Sequence, residues 1–243
     1  AGGRALKTPY GTFYGTNITR DPTHGIGSWT EQQIIDSIRL GIRPDGSVMS
    51  PVMPYPAFNQ MSDEDVTDLT AYLRSLPAVS RANQPHRLSV PFASLGMRIW
   101  RWFFFTPETA LKHAPTTGIE RGRYISEHVA HCQECHTPRT ITGTLDRSRD
   151  LAGNQDGIDG EVSSNITPDK ATGIGDWTEE EIVSLLQTGF KPNFDNVQGI
   201  MAMVIDGVSE GGYKDMSKQD ALAVARYLKS VPPIVHQVKE EKK

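Results

Sequence analysis

The chain of 243 residues has only two cysteines, no long apolar run and no excess of positive charge. A net charge of −4 without a basic stripe argues against a nucleic-acid partner. No apolar segment reaches the length that would span a membrane. The sequence also lacks paired carboxylates, a Ser/His/Asp triad and a phosphate-binding loop, so it indicates no catalytic site of these kinds.

Both cysteines belong to one short motif. Two residues separate Cys132 from Cys135, and His136 follows directly, which is the C-x-x-C-H spacing of covalent haem c attachment. Thiols at this spacing can add to the two vinyl groups along one edge of a haem, and the next residue then presents an imidazole nitrogen to the iron. We expect the other imidazole N–H to be donated to a backbone carbonyl near Pro138.

Other uses of the motif are less well supported. A zinc site lacks a second ligand pair at suitable spacing, and a thioredoxin-like redox pair lacks its βαβ context. A disulfide would leave His136 unexplained. Because haem c is attached outside the cytoplasm, the motif predicts a periplasmic protein or one at the periplasmic face of the inner membrane. We expect a signal sequence to have been removed or to lie outside this sequence.

The chain also contains an internal repeat. Matches lie 148 positions apart in one block and 155 positions apart in a later block. The matched pairs include Asn17 and Asn165, Gly25 and Gly173, Trp29 and Trp177, Met61 and Met216, and Tyr72 and Tyr227. The second copy thus carries about seven extra residues, around 206–213. The length agrees with two small domains and a linker.

We predict an all-α fold, because no alternating run of useful length appears. Caps and apolar periodicity predict helices over 29–40, 62–75, 119–131, 178–188 and 217–230, with loops over 1–28 and 42–60. The predicted domains are residues 1–78 and 118–243, joined by an aromatic-rich linker, 79–117. Domains this small have little core of their own, so we expect long loops that wrap around haem.

The repeat also selects a second iron ligand. A c-type cytochrome usually sets a methionine opposite the histidine. Among the candidates of the second copy, only Met201 maps onto another methionine, Met53, and we expect it in the loop between the last two helices. Met203 and Met216 are interpreted as core residues that fill gaps.

The first copy has no cysteine among residues 1–131, and its motif would fall before Ala1. The retained Met53 favours a first haem whose attachment motif lies upstream of this sequence. The alternative is a degenerate first domain in which Met53 belongs to the core.

The linker is most apolar at residues 97–105, where Trp and Phe are interleaved with Arg. Two interpretations remain open. The aromatics pack between the two domains, or they form a docking patch for a membrane surface or a partner subunit.

With the motif at residues 131–139 and the repeated Asn-Ile-Thr and Gly-Ile-Gly-x-Trp blocks, nearly the whole chain resembles the dihaem c-type cytochromes. It is similar to the cytochrome subunits of bacterial membrane-associated alcohol and aldehyde dehydrogenases, although it lacks their first C-x-x-C-H. The resemblance implies tandem cytochrome c domains and periplasmic electron relay. It implies thioether links at Cys132 and Cys135, a proximal His136, a distal Met201, and Met53 as the distal ligand of the first haem.

Four further residues are candidates for the haem sites. Trp177 and Trp29 donate an indole N–H to a propionate, or pack in the core at a helix start. Arg139 neutralises a propionate or is solvated. Asn165 is predicted to cap a turn near the haem edge.

These observations predict electron transfer from a dehydrogenase or quinol donor to a terminal acceptor, by a subunit of a redox complex rather than by an enzyme in its own right. A His/Met iron has no open position for a substrate. The main alternative is a dihaem redox enzyme, similar to thiosulfate dehydrogenase or a peroxidase, with one open or weakly ligated iron. A third is a structural subunit whose haem anchors a complex, which would need a large partner interface.

Overall fold

The computed structural model describes residues 1–89, 93–208 and 210–239. The chain divides into two compact units, Ala1–Ala114 and Pro115–Lys243. Most of the ordered structure is helical, in agreement with the helical part of the prediction. Among the residues described, no helix is both long and apolar enough to cross a membrane.

The first unit combines helices with a small sheet. Its elements are β1 (Ala5–Thr8), β2 (Gly11–Tyr14), α1 (Glu31–Leu40), α2 (Tyr55–Phe58), α3 (Asp63–Ser75), β3 (Arg87–Leu88) and α4 (Ala93–Phe104). The strands form an antiparallel sheet in the order β1-β2-β3, with Leu6 opposite Phe13 and Gly11 opposite Leu88. The loop predicted over 1–28 contains two of these strands, so that part of the prediction was wrong, while the mostly helical structure agrees with the predicted all-α class. Strands of two to four residues are too short to show a clear alternation.

Local sequence explains the limits of α1. The Thr30 side chain accepts from the Gln33 backbone N–H at 3.2 Å, while the Gln33 side chain accepts from the Thr30 N–H at 2.9 Å. This reciprocal capping box satisfies donors that the first helical turn leaves unpaired. The helix ends at Gly41, whose φ of 62° is the left-handed conformation that glycine adopts without strain. Its buried residues Ile34 and Ile38 pack against α3.

Residues 79–114, most of the predicted linker, belong to the first unit. Within this unit, one face of α4 packs against neighbouring residues. The Arg101 guanidinium donates to the Leu40 carbonyl and lies 4.5 Å from the ring centre of Phe105. Phe105 in turn makes an edge-to-face contact with the buried Tyr55, with ring centres 4.9 Å apart. Sequence analysis did not predict this helix.

The second unit is built mostly from short elements. Its elements are α5 (Gly118–Tyr124), a π-helix (Ile125–Val129), α6 (Cys132–His136), 3₁₀ turns at Arg147–Arg149, Ile158–Gly160 and Tyr213–Asp215, α7 (Glu179–Thr188), α8 (Gly199–Asp206), β4 (Gly207–Val208), β5 (Glu210–Gly211) and α9 (Lys218–Ser230). The first and last helices cross closely at Gly122, where a Cβ would lie only 1.9 Å from the Ala223 carbonyl oxygen. Only glycine allows this approach.

The sequence repeat has structural counterparts. In the first unit, Asn17 Nδ2 donates to the Val79 carbonyl at 2.8 Å. In the second unit, Asn165 Nδ2 donates to the Ile234 carbonyl at the same distance. Each asparagine thereby ties the loop before the first repeated helix to the segment after the last one.

Candidate haem attachment site

The C-x-x-C-H motif forms a short helix of its own, α6. The π-helix that precedes it is a feature common at functional sites. It is closed by the bond from the Ala130 N–H to the Ile125 carbonyl at 2.7 Å, and His131 then turns the chain with a left-handed φ of 44°. Cys132 and Cys135 are three residues apart on this helix, so they share one side of it.

Both thiols are free, so the disulfide alternative is not realised in this structure. Burial and, to a lesser extent, the charge of Cys135 together raise the pKa of Cys132 to about 12. Burial raises the pKa of Cys135 as well. Thiolate metal ligands and reactive redox cysteines need a lowered pKa instead. Among the described residues, no group of three or more His, Cys, Asp and Glu side chains could hold a metal ion.

His136 is held in the orientation that an iron ligand requires. Its Nδ1 lies 2.7 Å from the Ser164 carbonyl oxygen. Because a carbonyl only accepts hydrogen bonds, Nδ1 carries the proton and Nε2 keeps its lone pair. Burial lowers the pKa of His136 and so favours the neutral imidazole. These donor atoms fit a haem c site.

The prediction that the imidazole N–H of His136 is donated to a backbone carbonyl near Pro138 was wrong. The Pro138 oxygen accepts from the Asp146 N–H at 2.8 Å instead. The actual partner of His136, Ser164, lies 28 positions along the chain, and no local signal in the sequence indicates such a contact.

Arg139 and Thr137 hold the motif to the loop that follows it. Arg139 forms an ion pair with Glu134 at 2.5 Å and donates to the Gly143 carbonyl at 2.9 Å, so it is not simply solvated. The buried Thr137 hydroxyl donates to Asp150 at 2.8 Å. A contact of Arg139 with a propionate stays a prediction. The roles of Glu134 and Thr137 were missed in the sequence.

Met201 lies in α8 and not in a loop, which corrects the expectation for this segment. The Ile200 N–H donates to Glu161 Oε2 at 2.7 Å, so this carboxylate holds the first turn of the helix. Glu161 also lies near Cys135, since its charge contributes to the raised pKa of that thiol. Glu161 therefore links the helix that carries Met201 to the neighbourhood of the motif.

The other two methionines of the second copy differ from each other in exposure. Met203 is 41% exposed, so its interpretation as a core residue was wrong. Met216 is half-buried, and its backbone N–H donates to the Tyr213 carbonyl at 2.9 Å.

Tyr213 is a neighbour of the motif that sequence analysis did not identify. Its hydroxyl donates to the Ala130 carbonyl at 3.1 Å, two residues before Cys132. Burial raises the pKa of Tyr213 well above its usual value, and the nearby Cys132 and Cys135 raise it further.

The remaining candidate haem-site residues of the second copy, Asn165 and Trp177, both take part in hydrogen bonds within the unit. Asn165 is buried, and its Oδ1 accepts from the Thr167 N–H at 2.9 Å, so the predicted turn cap is present. Trp177 is half-buried at the start of α7, and its backbone carbonyl accepts from Lys229 Nζ at 2.9 Å. Their contacts with haem stay predictions.

The first unit contains Trp29 and Met53. Trp29 packs against the buried cluster that includes Ile26 and Ile34, which favours its core interpretation. Met53 is half-buried in a turn, with its N–H donated to the Ser50 carbonyl at 3.0 Å. Its role as an iron ligand stays a prediction.

No protein-family model matches the chain. The chain is 38% identical over 238 residues to a dihaem c-type cytochrome of Cereibacter sphaeroides, covering 96% of this chain and 76% of that protein. It is 37% identical to the cytochrome c subunit of the quinone alcohol dehydrogenase of Gluconacetobacter polyoxogenes, covering 96% of this chain and 51% of that subunit. It is also 37% identical to the fructose dehydrogenase cytochrome subunit of Gluconobacter japonicus, covering 96% and 47%.

A C-x-x-C-H helix with free thiols, whose histidine keeps Nε2 available, has the donor atoms that a c-type cytochrome needs to attach haem. The chain belongs to the dihaem c-type cytochromes, as its identity with the Cereibacter protein shows. The cofactor of this class is haem c. The chain spans about half the length of the dehydrogenase subunits that it matches.

Proposed function

We propose that this chain is an electron-transfer cytochrome of a redox complex at the periplasmic side of the inner membrane. It relays electrons from a dehydrogenase or quinol donor to a terminal acceptor. The observation that carries the proposal is His136, since its Nδ1–H bond to the Ser164 carbonyl leaves Nε2 free to bind iron on the attachment helix. Relatives named as cytochrome subunits of alcohol, fructose and gluconate dehydrogenases support it.

Four residues of the second unit would hold the cofactor: Cys132 and Cys135 by thioether bonds, and His136 and Met201 by ligation. When bound, haem c supplies a one-electron couple. The Ser164 carbonyl fixes the imidazole. With two protein ligands in place, the site leaves no position for a substrate, so the chain exchanges electrons and does not bind small molecules.

We further propose that the units are tandem cytochrome c domains with loops that wrap around haem. The repeat-related bonds of Asn17 and Asn165 support this division. Met53 would then be the distal ligand of a haem in the first domain. The attachment cysteines for that haem are not among residues 1–131. The name of the dihaem relative supports the proposal of a second haem.

The docking surface proposed for residues 97–105 has a structural basis in α4. Phe104 and four other apolar side chains of the helix are exposed. The four others, Leu95, Ile99, Trp102 and Phe103, follow one stripe of the helix and are here named the α4 stripe. Trp102 is 78% exposed. Residues 93–105 contain no acidic side chain, and Arg98 is exposed beside the stripe. We propose that the stripe docks to the membrane surface or to a partner subunit. Packing of these aromatics between the two domains stays the alternative prediction.

Replacing Trp102 and Phe103 by serine tests this surface. The double variant is expected to lose binding to anionic vesicles or to the dehydrogenase, depending on which of the two the stripe contacts. The control is Tyr72→Ser, which removes an aromatic side chain that is 59% exposed elsewhere in the same unit. Equal binding by both variants would contradict docking through α4.

Intact mass and visible spectroscopy of the natively purified protein test the proposed function. Covalent haem in the tryptic peptide that contains Cys132 and Cys135, together with a low-spin spectrum and a methionine-to-iron charge-transfer band, is the expected result. Two haems per protein would support a dihaem carrier, and one would make the first domain vestigial. A high-spin spectrum would contradict electron transfer as the main role and favour a redox enzyme with an open iron.

A further inference from the structure

The second unit has a hairpin where the sequence repeat has its insertion. β4 and β5 pair antiparallel, and the chain then returns to the end of α8. The return is close, because a Cβ on Gly212 would lie 2.2 Å from the Ile205 carbonyl oxygen. Immediately after this glycine, the 3₁₀ turn Tyr213–Asp215 packs against α7 and α8. The insertion thus sets the position of Tyr213.

From this turn, Tyr213 reaches the residue that leads into the attachment helix. The Tyr213 hydroxyl donates to the Ala130 carbonyl at 3.1 Å across 83 positions of sequence. Ala130 also closes the π-helix through its N–H, and His131 follows with a left-handed backbone. The Tyr213 hydroxyl therefore binds the Ala130 peptide group, which connects the π-helix to the attachment motif.

The first copy shows that this hydroxyl is not a general part of the repeat. At the separation of 155 that relates Met61 to Met216, Tyr213 corresponds to Phe58. Phe58 packs against the buried cluster of the first unit and has no hydroxyl to donate. The tyrosine hydroxyl thus occurs in the copy whose sequence here carries C-x-x-C-H.

We propose that Tyr213 is a positioning residue of the second haem site, whose hydroxyl holds the Ala130 carbonyl in place. The inference rests on the proposed haem attachment at Cys132 and Cys135. Neighbouring hydrogen bonds and solvent exposure both tune the potential of such centres. Without the hydroxyl, water replaces it at Ala130, and the greater polarity stabilises the more highly charged oxidised haem. The reduction potential then falls.

Tyr213→Phe in the full chain loaded with haem c tests this role. The variant keeps the ring and takes the residue of the first copy, so it is expected to fold. Tyr72→Phe is the control, because it removes an exposed hydroxyl in the other unit. Spectroelectrochemical titration is applied to the haem whose signal is lost when both Cys132 and Cys135 are replaced by alanine.

For Tyr213→Phe we expect the equilibrium constant for reduction to fall about threefold, which is ~28 mV at 59 mV per tenfold change for one electron. Hydrogen exchange of the peptide that spans 125–137 should become faster, while Tyr72→Phe changes neither quantity. An unchanged potential in a fully loaded Tyr213→Phe protein would overturn the inference and leave the proposed function intact. Wild-type protein without covalent haem at the motif would overturn the proposed function itself.

Discussion

The two copies of the repeat share their helical frame and differ around their methionines. α1 and α7 both begin with a threonine capping box and end at a glycine. Met53, however, lies in a turn before the four-residue helix α2, whereas Met201 lies within the eight-residue helix α8. The repeated residues therefore stabilise the fold, while side chains outside the repeat pattern, such as Glu161 and Tyr213, build the surroundings of the second site.

The largest expected difference between the copies is covalent haem. Replacement of both Cys132 and Cys135 by alanine should remove all covalently bound haem from the second unit, because each of the two thioether bonds needs one of these thiols. Mass spectrometry of the tryptic peptides measures this directly. Any haem that remains bound covalently must then be attached in the first domain. If the motif peptide still carried haem mass, the assigned attachment site would be wrong.

The distal ligand gives the next largest effect. Met201→Leu should abolish the methionine-to-iron charge-transfer band of the second haem and lower its potential, since methionine ligation raises it. Met203→Leu, two residues along the same helix, is the matched control and should keep both. Met53→Leu should affect only a haem in the first copy. If Met203→Leu lost the band and Met201→Leu kept it, the mapping through the repeat would be contradicted.

Helix packing in the second unit can be perturbed without touching the ligands. Gly122→Ala inserts a methyl group against the Ala223 carbonyl and should destabilise the unit by about 2–3 kcal/mol through overpacking. In α4, the space beside Gly96 is open. Gly96→Ala should therefore stabilise the first unit by roughly 0.5–1 kcal/mol. Denaturant unfolding measures the change in the free energy of unfolding for both variants. Equal changes in Gly122→Ala and Gly96→Ala would show that the α5–α9 contact is looser than the structure indicates.

The paired asparagines test whether the copies are equivalent in energy. Asn17→Ala and Asn165→Ala each remove a buried amide and leave buried groups unpaired, at a cost of about 1–3 kcal/mol. The two costs should agree closely, as measured by urea unfolding of the haem-loaded protein. A much larger loss for one variant would mean that its loop depends on contacts that the other copy lacks.

The smallest effect concerns acid stability. The hydrogen bonds from Arg121 to Asp220, at 2.7 and 3.2 Å, lower the pKa of that carboxyl. A lowered folded-state pKa contributes stability above the usual value of 3.8, and this is lost as the pH falls through the lower folded value. Asp220→Asn should cost about 0.5–1 kcal/mol at neutral pH, since both side chains are partly exposed.

The measurement for this pair is the free energy of unfolding between pH 7 and pH 3. Both Asp220→Asn and Arg121→Gln should show a weaker dependence on pH than the wild type. A variant with the full wild-type dependence would show that other carboxyl groups govern acid unfolding.

Helices with clear end signals were predictable from the sequence. Thr30, Ser62, Thr178 and Ser217 all cap helices within one or two residues of the predicted starts. α8 lacks a side-chain cap of this kind, since Gln198 makes no capping bond, and neither α8 nor α4 was predicted. The short strands of the first unit were missed because pairing across the chain defines them rather than any local pattern.

The attachment motif could also be predicted from the sequence, because its residues are adjacent in the chain. The residues that orient the motif could not be predicted in this way. Ser164 contacts His136 across 28 positions, and Tyr213 reaches Ala130 across 83. Only the fold brings such residues together, and the repeat helped only where both copies retain the same residue type, as for Met53 and Met201.

The crossing of α5 and α9 has a consequence for the order of assembly. Arg121 and Asp220 meet across 99 positions, so this contact closes nearly the whole second unit into one loop. Contacts so distant in sequence form late, because the entropy of closing a long loop must be overcome first. Cys132 and Cys135 lie within this loop, so their own short helix can form before the contact between α5 and α9 closes the unit around it.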